Sequence, residues 1–83
     1  MAKQKKQTTS SEYAFTVIYE KVRGGYEVLV PRLPGLVTFG RSFDEAREMA
    51  REAIECYLGA LLSKHERIPS EESFVQERLR VAV

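Results

Sequence analysis

A single long run of helical periodicity limits what this 83-residue chain can fold into. Between residues 43 and 64, apolar side chains recur every three or four positions, which is the spacing of one buried helix face. They are Phe43, Ala46, Ala50, Ala53, Ile54, Tyr57, Leu58, Leu61 and Leu62. Ser42, with Glu45 three residues later, forms the capping-box pattern that begins a helix. A helix over this run would be roughly 33 Å long, so it could cross a whole small sheet.

The sequence before the helix is typical of strands. Residues 12–22 are rich in aromatic and β-branched side chains and alternate between larger and smaller ones, as expected of a strand. Residues 26–31, "YEVLVP", form a second run of this kind. Between the two runs, Gly24–Gly25 can adopt a positive φ at little cost. The pattern predicts a β-hairpin.

The register of this hairpin depends on the length of its turn. A three-residue turn would place Lys21 opposite Glu27, and a two-residue alternative would place Lys21 opposite Val28. We prefer the first register because opposite charges facing each other across two strands stabilise the pair.

The connection from the hairpin to the helix is short and contains few loop residues. Pro31 ends the second strand because it has no backbone N–H to donate to a ladder. Residues 33–35, Leu-Pro-Gly, suit a type II turn, in which Pro fixes φ and Gly accepts a positive φ. Residues 36–39, "LVTF", then predict a short third strand that ends at Gly40.

Residues 74–83 alternate apolar and polar side chains and predict a fourth strand after the helix. The predicted fold is therefore α+β: a two-layer βββαβ domain with one helix packed on a small, mainly antiparallel sheet. This single domain spans residues 12–83, and residues 1–11 form a flexible basic tail.

One helix can cover only one face of such a sheet, so large apolar side chains on the first two strands would be exposed in a monomer. Exposed apolar patches usually indicate association, and an uncovered terminal strand can pair with another chain. We therefore predict a homo-oligomer, a dimer or tetramer, in which Leu79, Val81 and Val83 take part in self-association.

The distribution of charge counts against a general nucleic-acid binder. The chain has 13 basic and 12 acidic residues, and three of the lysines lie in the tail, so the domain itself is slightly acidic and lacks the clustered positive charge that phosphates require. Glu45, Glu48, Glu52 and Glu55 project to one side of the predicted helix. This acidic stripe is either a solvated outer face or a surface for a partner.

Residues that could carry catalysis are few and isolated. Cys56 and His65 are the only cysteine and histidine. Cys56 has no basic neighbour in sequence beyond Arg51 and Lys64 to activate its thiol, and His65 at the helix end is explained as a cap that the helix dipole favours. Asp44 belongs to the first helical turn, where the helix dipole explains it. We expect no catalytic residue, no metal site and no cofactor. The sequence shows no signal peptide and no apolar run of membrane-spanning length, which predicts a cytoplasmic protein.

Residues 24–58, "GGYEVLVPRLPGLVTFGRSFDEAREMAREAIECYL", resemble the HicB-type antitoxin domain. Members of that family show a GGY hairpin, a Leu-Pro-Gly turn, a Thr-x-Gly stretch and a Ser/Thr-x-x-Glu-Ala start to an Ala- and Glu-rich helix. Ile68–Pro69 match the Ile-Pro that commonly follows the helix in this family.

The resemblance implies a partial, degenerate ribonuclease H-like fold, in agreement with the βββαβ order. Two positions depart from the family pattern, because Arg32 and Arg41 stand where acidic residues are common. Both replacements remove negative charge that a metal ion would need. They count against a metal-dependent nuclease.

The resemblance also implies a function. Such domains bind HicA-type toxins, which are small basic proteins that cleave mRNA, and inhibit them by masking the active surface. Under this interpretation Glu45, Glu48 and Glu52 would contact the basic toxin. Longer relatives carry a DNA-binding segment after this domain, so we expect no sequence-specific DNA binding by this chain. The alternatives are an orphan homo-oligomeric scaffold without a toxin and, less favoured, a metal-dependent nuclease.

Overall fold

The computed structural model describes residues 12–83, which fold as a three-stranded antiparallel sheet followed by one helix. The strands are β1 (Ile18–Val22), β2 (Gly25–Leu29) and β3 (Val37–Gly40), in the order β1-β2-β3 across the sheet. The helix, α1 (Phe43–Ser63), packs on one face of that sheet. The α+β class predicted from the sequence is confirmed, as a βββα arrangement. The predicted basic tail, residues 1–11, lies outside the described residues.

The hairpin register differs by one residue from the predicted one. Lys21 faces Tyr26, not Glu27 or Val28. The turn contains Arg23 and Gly24, and only Gly24 has a positive φ, of 86°. Gly25 belongs to β2 instead, where a Cβ atom would collide with the Phe39 ring and with backbone from Gly40 to Arg41. A one-residue shift exchanges the facing partners along the whole hairpin.

The turn before β3 and the start of the helix are confirmed. Gly35 has a φ of 87°, and the Leu36 N–H donates to the Leu33 carbonyl over 3.1 Å, as a type II turn requires. The Ser42 hydroxyl then accepts a hydrogen bond from the Glu45 N–H at 3.0 Å. Ser42 therefore begins the helix as its N-cap.

The helix ends one residue before the predicted boundary, with backbone hydrogen bonds that satisfy its last carbonyls. The His65 N–H donates to Leu62 and the Glu66 N–H donates to Leu61, which is the Schellman arrangement. His65 adopts a left-handed φ of 59°. Its predicted place at the helix end is confirmed.

The core consists of two adjacent clusters between sheet and helix. The first joins Val28 of β2 to Ala46 and Ala50, and the second joins Val30 to Leu33 and Leu36. Aromatic and aliphatic side chains from the segment before β1, from β1 and β2, and from the helix pack around them: Phe15, Val17, Tyr19, Tyr26, Ala53, Ile54, Tyr57 and Leu58. The small alanines let the start of the helix lie close to the sheet.

The predicted fourth strand is the element that the structure does not contain. Residues 74–83 carry no strand, and residues 12–17, predicted as the first half of β1, pair with no strand either. Ladder hydrogen bonds need a neighbouring backbone, and these two segments have none within residues 12–83. An alternating pattern fits a strand but does not supply its partner.

Candidate interaction surfaces

The three predicted toxin-contact residues lie on the exposed outer side of the helix. Glu45, Glu48 and Glu52 are all solvent-exposed. The Glu45 carboxylate, however, reaches back and accepts a hydrogen bond from the Arg41 N–H at 2.6 Å. This contact completes the cap at the helix start. Glu48 and Glu52, one helical turn apart, are the two whose carboxylates take no part in the cap.

A second surface is the sheet face opposite the helix, which we call the open face. Ile18, Leu29 and Val37 face one another across all three strands. The next row contains Glu20, Glu27 and Phe39. Exposure reaches 58% for Val37 and 44% for Phe39, so no element of residues 12–83 covers this apolar face.

Glu20 and Glu27 form a like-charged pair at the centre of the open face. They are direct cross-strand partners in the β1–β2 hairpin, and both are exposed. Like charges directly opposite each other destabilise a sheet. The predicted register hid this pair, because it placed Lys21 opposite Glu27.

The third surface is a groove of about 530 Å³ between residues 13–19 and the helix. Tyr13, Phe15 and Val17 line it from the segment before β1, and Ile54 and Leu58 line it from the helix. The helix also contributes the charged residues Arg47, Arg51 and Glu55. Residues 12–17 make no ladder hydrogen bonds along it. The groove therefore combines apolar side chains with a backbone edge that belongs to no ladder, although the Thr16 N–H on that edge is held by Glu71. An edge without ladder partners is a place where a strand can be added.

Residues 74–83, which we call the arm, leave the body without covering the groove. Leu79 is 73% exposed and Val81 is 75% exposed, and Val83 is fully exposed. The radius of gyration is 16.3 Å, against about 11–12 Å for a compact domain of this length. The predicted self-association residues are thus accessible for contact with another molecule.

Long-range contacts fix the base of the arm. Both oxygens of Glu71 accept hydrogen bonds from Thr16, from its N–H at 2.6 Å and its hydroxyl at 2.9 Å. The Arg32 guanidinium donates twice to the Ser70 carbonyl, at 3.0 and 2.6 Å, and lies 5.3 Å from the centre of the Phe74 ring. Arg32 therefore anchors the chain that follows the helix.

The residues whose side chains could take part in catalysis lie apart in the structure. Cys56 is exposed on the helix, and His65 lies at the helix end. Among residues 12–83, no three His, Cys, Asp or Glu side chains come together as metal ligands would. The helix in this part of the chain is not apolar enough to span a bilayer.

Comparisons with known proteins identify relatives of this chain. A UPF0150 protein of Synechocystis sp. is 37% identical over 70 residues, covering 83% of this chain and 89% of the relative. A UPF0150 protein of Thermoplasma acidophilum is 40% identical over 60 residues, covering 71% and 87%. An uncharacterized 14.9 kDa protein of Haemophilus phage HP1 is 34% identical over 62 residues, covering 75% and 47%. No solved structure matches the chain.

A family model described as a HicB-like antitoxin of bacterial toxin-antitoxin systems matches residues 13–80. The match covers the sheet, the helix, the base of the arm and most of the arm. It also confirms the family that the hairpin, turn and helix-start motifs indicated. The chain belongs to the HicB-like antitoxin family.

Proposed function

We propose that this chain neutralises a HicA-type, mRNA-cleaving toxin by masking its active surface. The observation that carries the proposal is the family match, which extends over nearly all of residues 12–83. The chain would act in the cytoplasm, where such a toxin meets mRNA. Its role would be binding and not catalysis.

The outer side of the helix is one proposed contact for the basic toxin. Glu48 and Glu52 are exposed and present two carboxylates one turn apart. Complementary charge accelerates association and orients the partners, while each exposed pair adds little affinity. Glu45 belongs to the same proposed contact, although its carboxylate is already engaged by the helix cap.

The test is co-expression with the product of the adjacent small open reading frame, scoring rescue of growth and co-purification. We expect the double variant Glu48→Lys/Glu52→Lys to weaken toxin binding about fivefold, because each exposed charge contributes about 0.5 kcal/mol. The double variant Glu66→Lys/Glu72→Lys, at two exposed residues beyond the helix, controls for the same change in net charge. Unchanged affinity of the double variant would remove the helix from the interface.

Self-association through the arm is the second part of the proposal. We infer that Leu79, Val81 and Val83 enter the groove of another copy and pair with its residues 12–17. The support is physical: apolar side chains line much of the groove, residues 12–17 belong to no ladder, and the arm has an alternating, exposed apolar side. A monomeric mass by light scattering at micromolar concentration would contradict it.

The orphan scaffold is the alternative that the same arm favours, because self-association needs no toxin. If the product of the adjacent reading frame is toxic and this chain restores growth, the result would favour the antitoxin over the orphan scaffold.

Sequence-specific DNA binding is not expected from residues 12–83, since they contain one helix and so no helix-turn-helix pair. A gel-mobility shift of the operator DNA at nanomolar protein and physiological salt would contradict that expectation.

The nuclease alternative would require magnesium- or manganese-dependent cleavage of RNA, DNA or hybrids.

A further inference from the structure

We infer that the open face of the sheet is the main docking surface for the basic toxin, with Glu20 and Glu27 as its charged centre. The inference rests on the proposed function and goes beyond it by assigning the toxin to the uncovered sheet face. This face lies opposite the helix, so the sheet variants and the Glu48→Lys/Glu52→Lys variant test the two surfaces separately. Three observations carry it: the like-charged pair, the apolar row beside it, and the absence of a cover over this face in residues 12–83.

The like-charged pair suggests a basic partner. Two carboxylates directly opposite each other on neighbouring strands repel each other, and no strand residue on this face supplies a positive charge: the face is formed by Ile18, Glu20, Val22, Gly25, Glu27, Leu29, Val37 and Phe39. Lys21 points to the opposite face, where its ammonium lies 5.6 Å from the centre of the Tyr26 ring. A partner that brings Lys or Arg between Glu20 and Glu27 would relieve the repulsion.

The apolar neighbours supply the surface that a charged pair alone lacks. Ile18, Leu29 and Val37 form a continuous row across the three strands, and Phe39 stands next to Glu27. Interfaces of stable complexes combine a desolvated apolar centre with polar groups around it. Burial of this row would also strengthen any ion pair formed beside it, because water would be excluded.

A second copy of this chain fits the open face less well than a basic toxin does. A two-fold symmetric contact places the same patch of each copy against the other. Two open faces in contact would bring the Glu20 and Glu27 carboxylates of both copies together. Self-association through the arm and the groove, which borders the helix, does not require this.

The geometry provides a variant with two opposite expected effects. Glu20→Lys replaces the repelling pair with a cross-strand ion pair to Glu27, so it should stabilise the free protein and raise its Tm by about 2–4 °C. The same change removes half of the acidic centre and should weaken toxin binding at least tenfold. A merely structural role for Glu20 would not combine a higher Tm with weaker binding.

The experiment compares the full chain with its Glu20→Lys and Val37→Asp variants, using Glu66→Lys as the control that matches the charge change of Glu20→Lys. Each is measured for thermal stability, for oligomer mass and for affinity toward the toxin encoded by the neighbouring reading frame. We expect Glu20→Lys and Val37→Asp to lose toxin affinity, and Glu66→Lys to retain it. Equal affinity of all four proteins, or a changed oligomer mass of Glu20→Lys without toxin, would overturn the inference.

A second probe separates this inference from the proposed function. A synthetic peptide of alternating Lys and Leu is titrated into the isotopically labelled protein, with a Glu-Leu peptide as control. We expect salt-sensitive shifts of the Ile18, Leu29 and Val37 resonances with the basic peptide only, reduced at least fivefold in Glu20→Lys. If the chain binds no toxin, the proposed function fails, and the peptide decides the inference: shifts elsewhere, or equal shifts in Glu20→Lys, would overturn it.

Discussion

His65 holds a backbone conformation that residues with a side chain rarely adopt. Its φ of 59° lies in the left-handed region, where a Cβ crowds the following carbonyl at a cost of about 1–2 kcal/mol. Glycine usually occupies this position in a Schellman motif. The chain tolerates histidine there because the His65 and Glu66 N–H groups cap the last helical carbonyls.

Replacing His65 with glycine should therefore stabilise the protein. The relief of left-handed strain exceeds the added entropy of the unfolded glycine, so we expect the free energy of unfolding to rise by about 0.5–1 kcal/mol. Urea denaturation measures this difference. His65→Ala, which keeps the Cβ, serves as control and should give no gain; an equal gain for both variants would assign the effect to the lost imidazole.

At the scale of elements, the contact between β3 and the helix depends on Gly40. A Cβ at this position would collide with the backbone of Glu45 and Ala46 in the first helical turn. The absence of a side chain lets the helix lie directly against the end of the strand. The helix then covers the sheet from its first turn onward.

Gly40→Ala should cost about 2 kcal/mol of stability or more, because backbone atoms cannot move aside as a flexible side chain would. Gly59→Ala is the matched control: it lies in the helix with open space around it, and the loss of a helical glycine should stabilise by about 0.5–1 kcal/mol. Denaturation midpoints with unchanged m-values would report both effects. Similar changes in the two variants would mean that the Gly40 contact does not limit helix packing.

Local chemistry explains which elements could be predicted from the sequence. The Leu33–Leu36 turn and the Ser42 cap depend on residues within three positions of each other, and both have the predicted hydrogen bonds. The predicted hairpin register was wrong because Gly25 lies inside β2, where the Phe39 ring needs the space that a side chain would fill. Gly25 and Phe39 are far apart in sequence. No local pattern reports such a requirement.

The interaction surfaces were predictable only in part, for the same reason. Apolar residues on both sides of the first strands indicated an uncovered face, but the Glu20–Glu27 pair needs the correct register. The anchors of the arm join Thr16 to Glu71 and Arg32 to Ser70, 55 and 38 residues apart. Residues 74–83 alternate apolar and polar side chains as a strand does, but no strand within residues 12–83 pairs with them.

At the scale of the whole molecule, the arm and groove predict the oligomeric state. Leu79→Asp should reduce an oligomer to monomers by placing a charge in the apolar contact, and Tyr13→Asp should do the same from the groove side. Gln76→Asp, which adds the same charge to the other side of the arm, is the control and should remain oligomeric. Light scattering checks all three.

Mixing the Leu79→Asp and Tyr13→Asp variants tests whether the arm of one copy contacts the groove of another. The Tyr13→Asp chain keeps an intact arm, and the Leu79→Asp chain keeps an intact groove. If the arm of one copy enters the groove of another, the two variants should form a heterodimer in which the intact arm of the Tyr13→Asp chain occupies the intact groove of the Leu79→Asp chain. A mixture that stays monomeric would show that the two residues do not face each other across copies.

The helix covers one side of the sheet and leaves the other side open, and this two-layer arrangement has a consequence for stoichiometry. The groove borders the helix, whereas the open face looks in the opposite direction. A pair of copies joined through their grooves would keep both open faces accessible, so each could hold one toxin without displacing the other copy. The saturated assembly would contain two antitoxins and two toxins, and toxin binding would not compete with self-association.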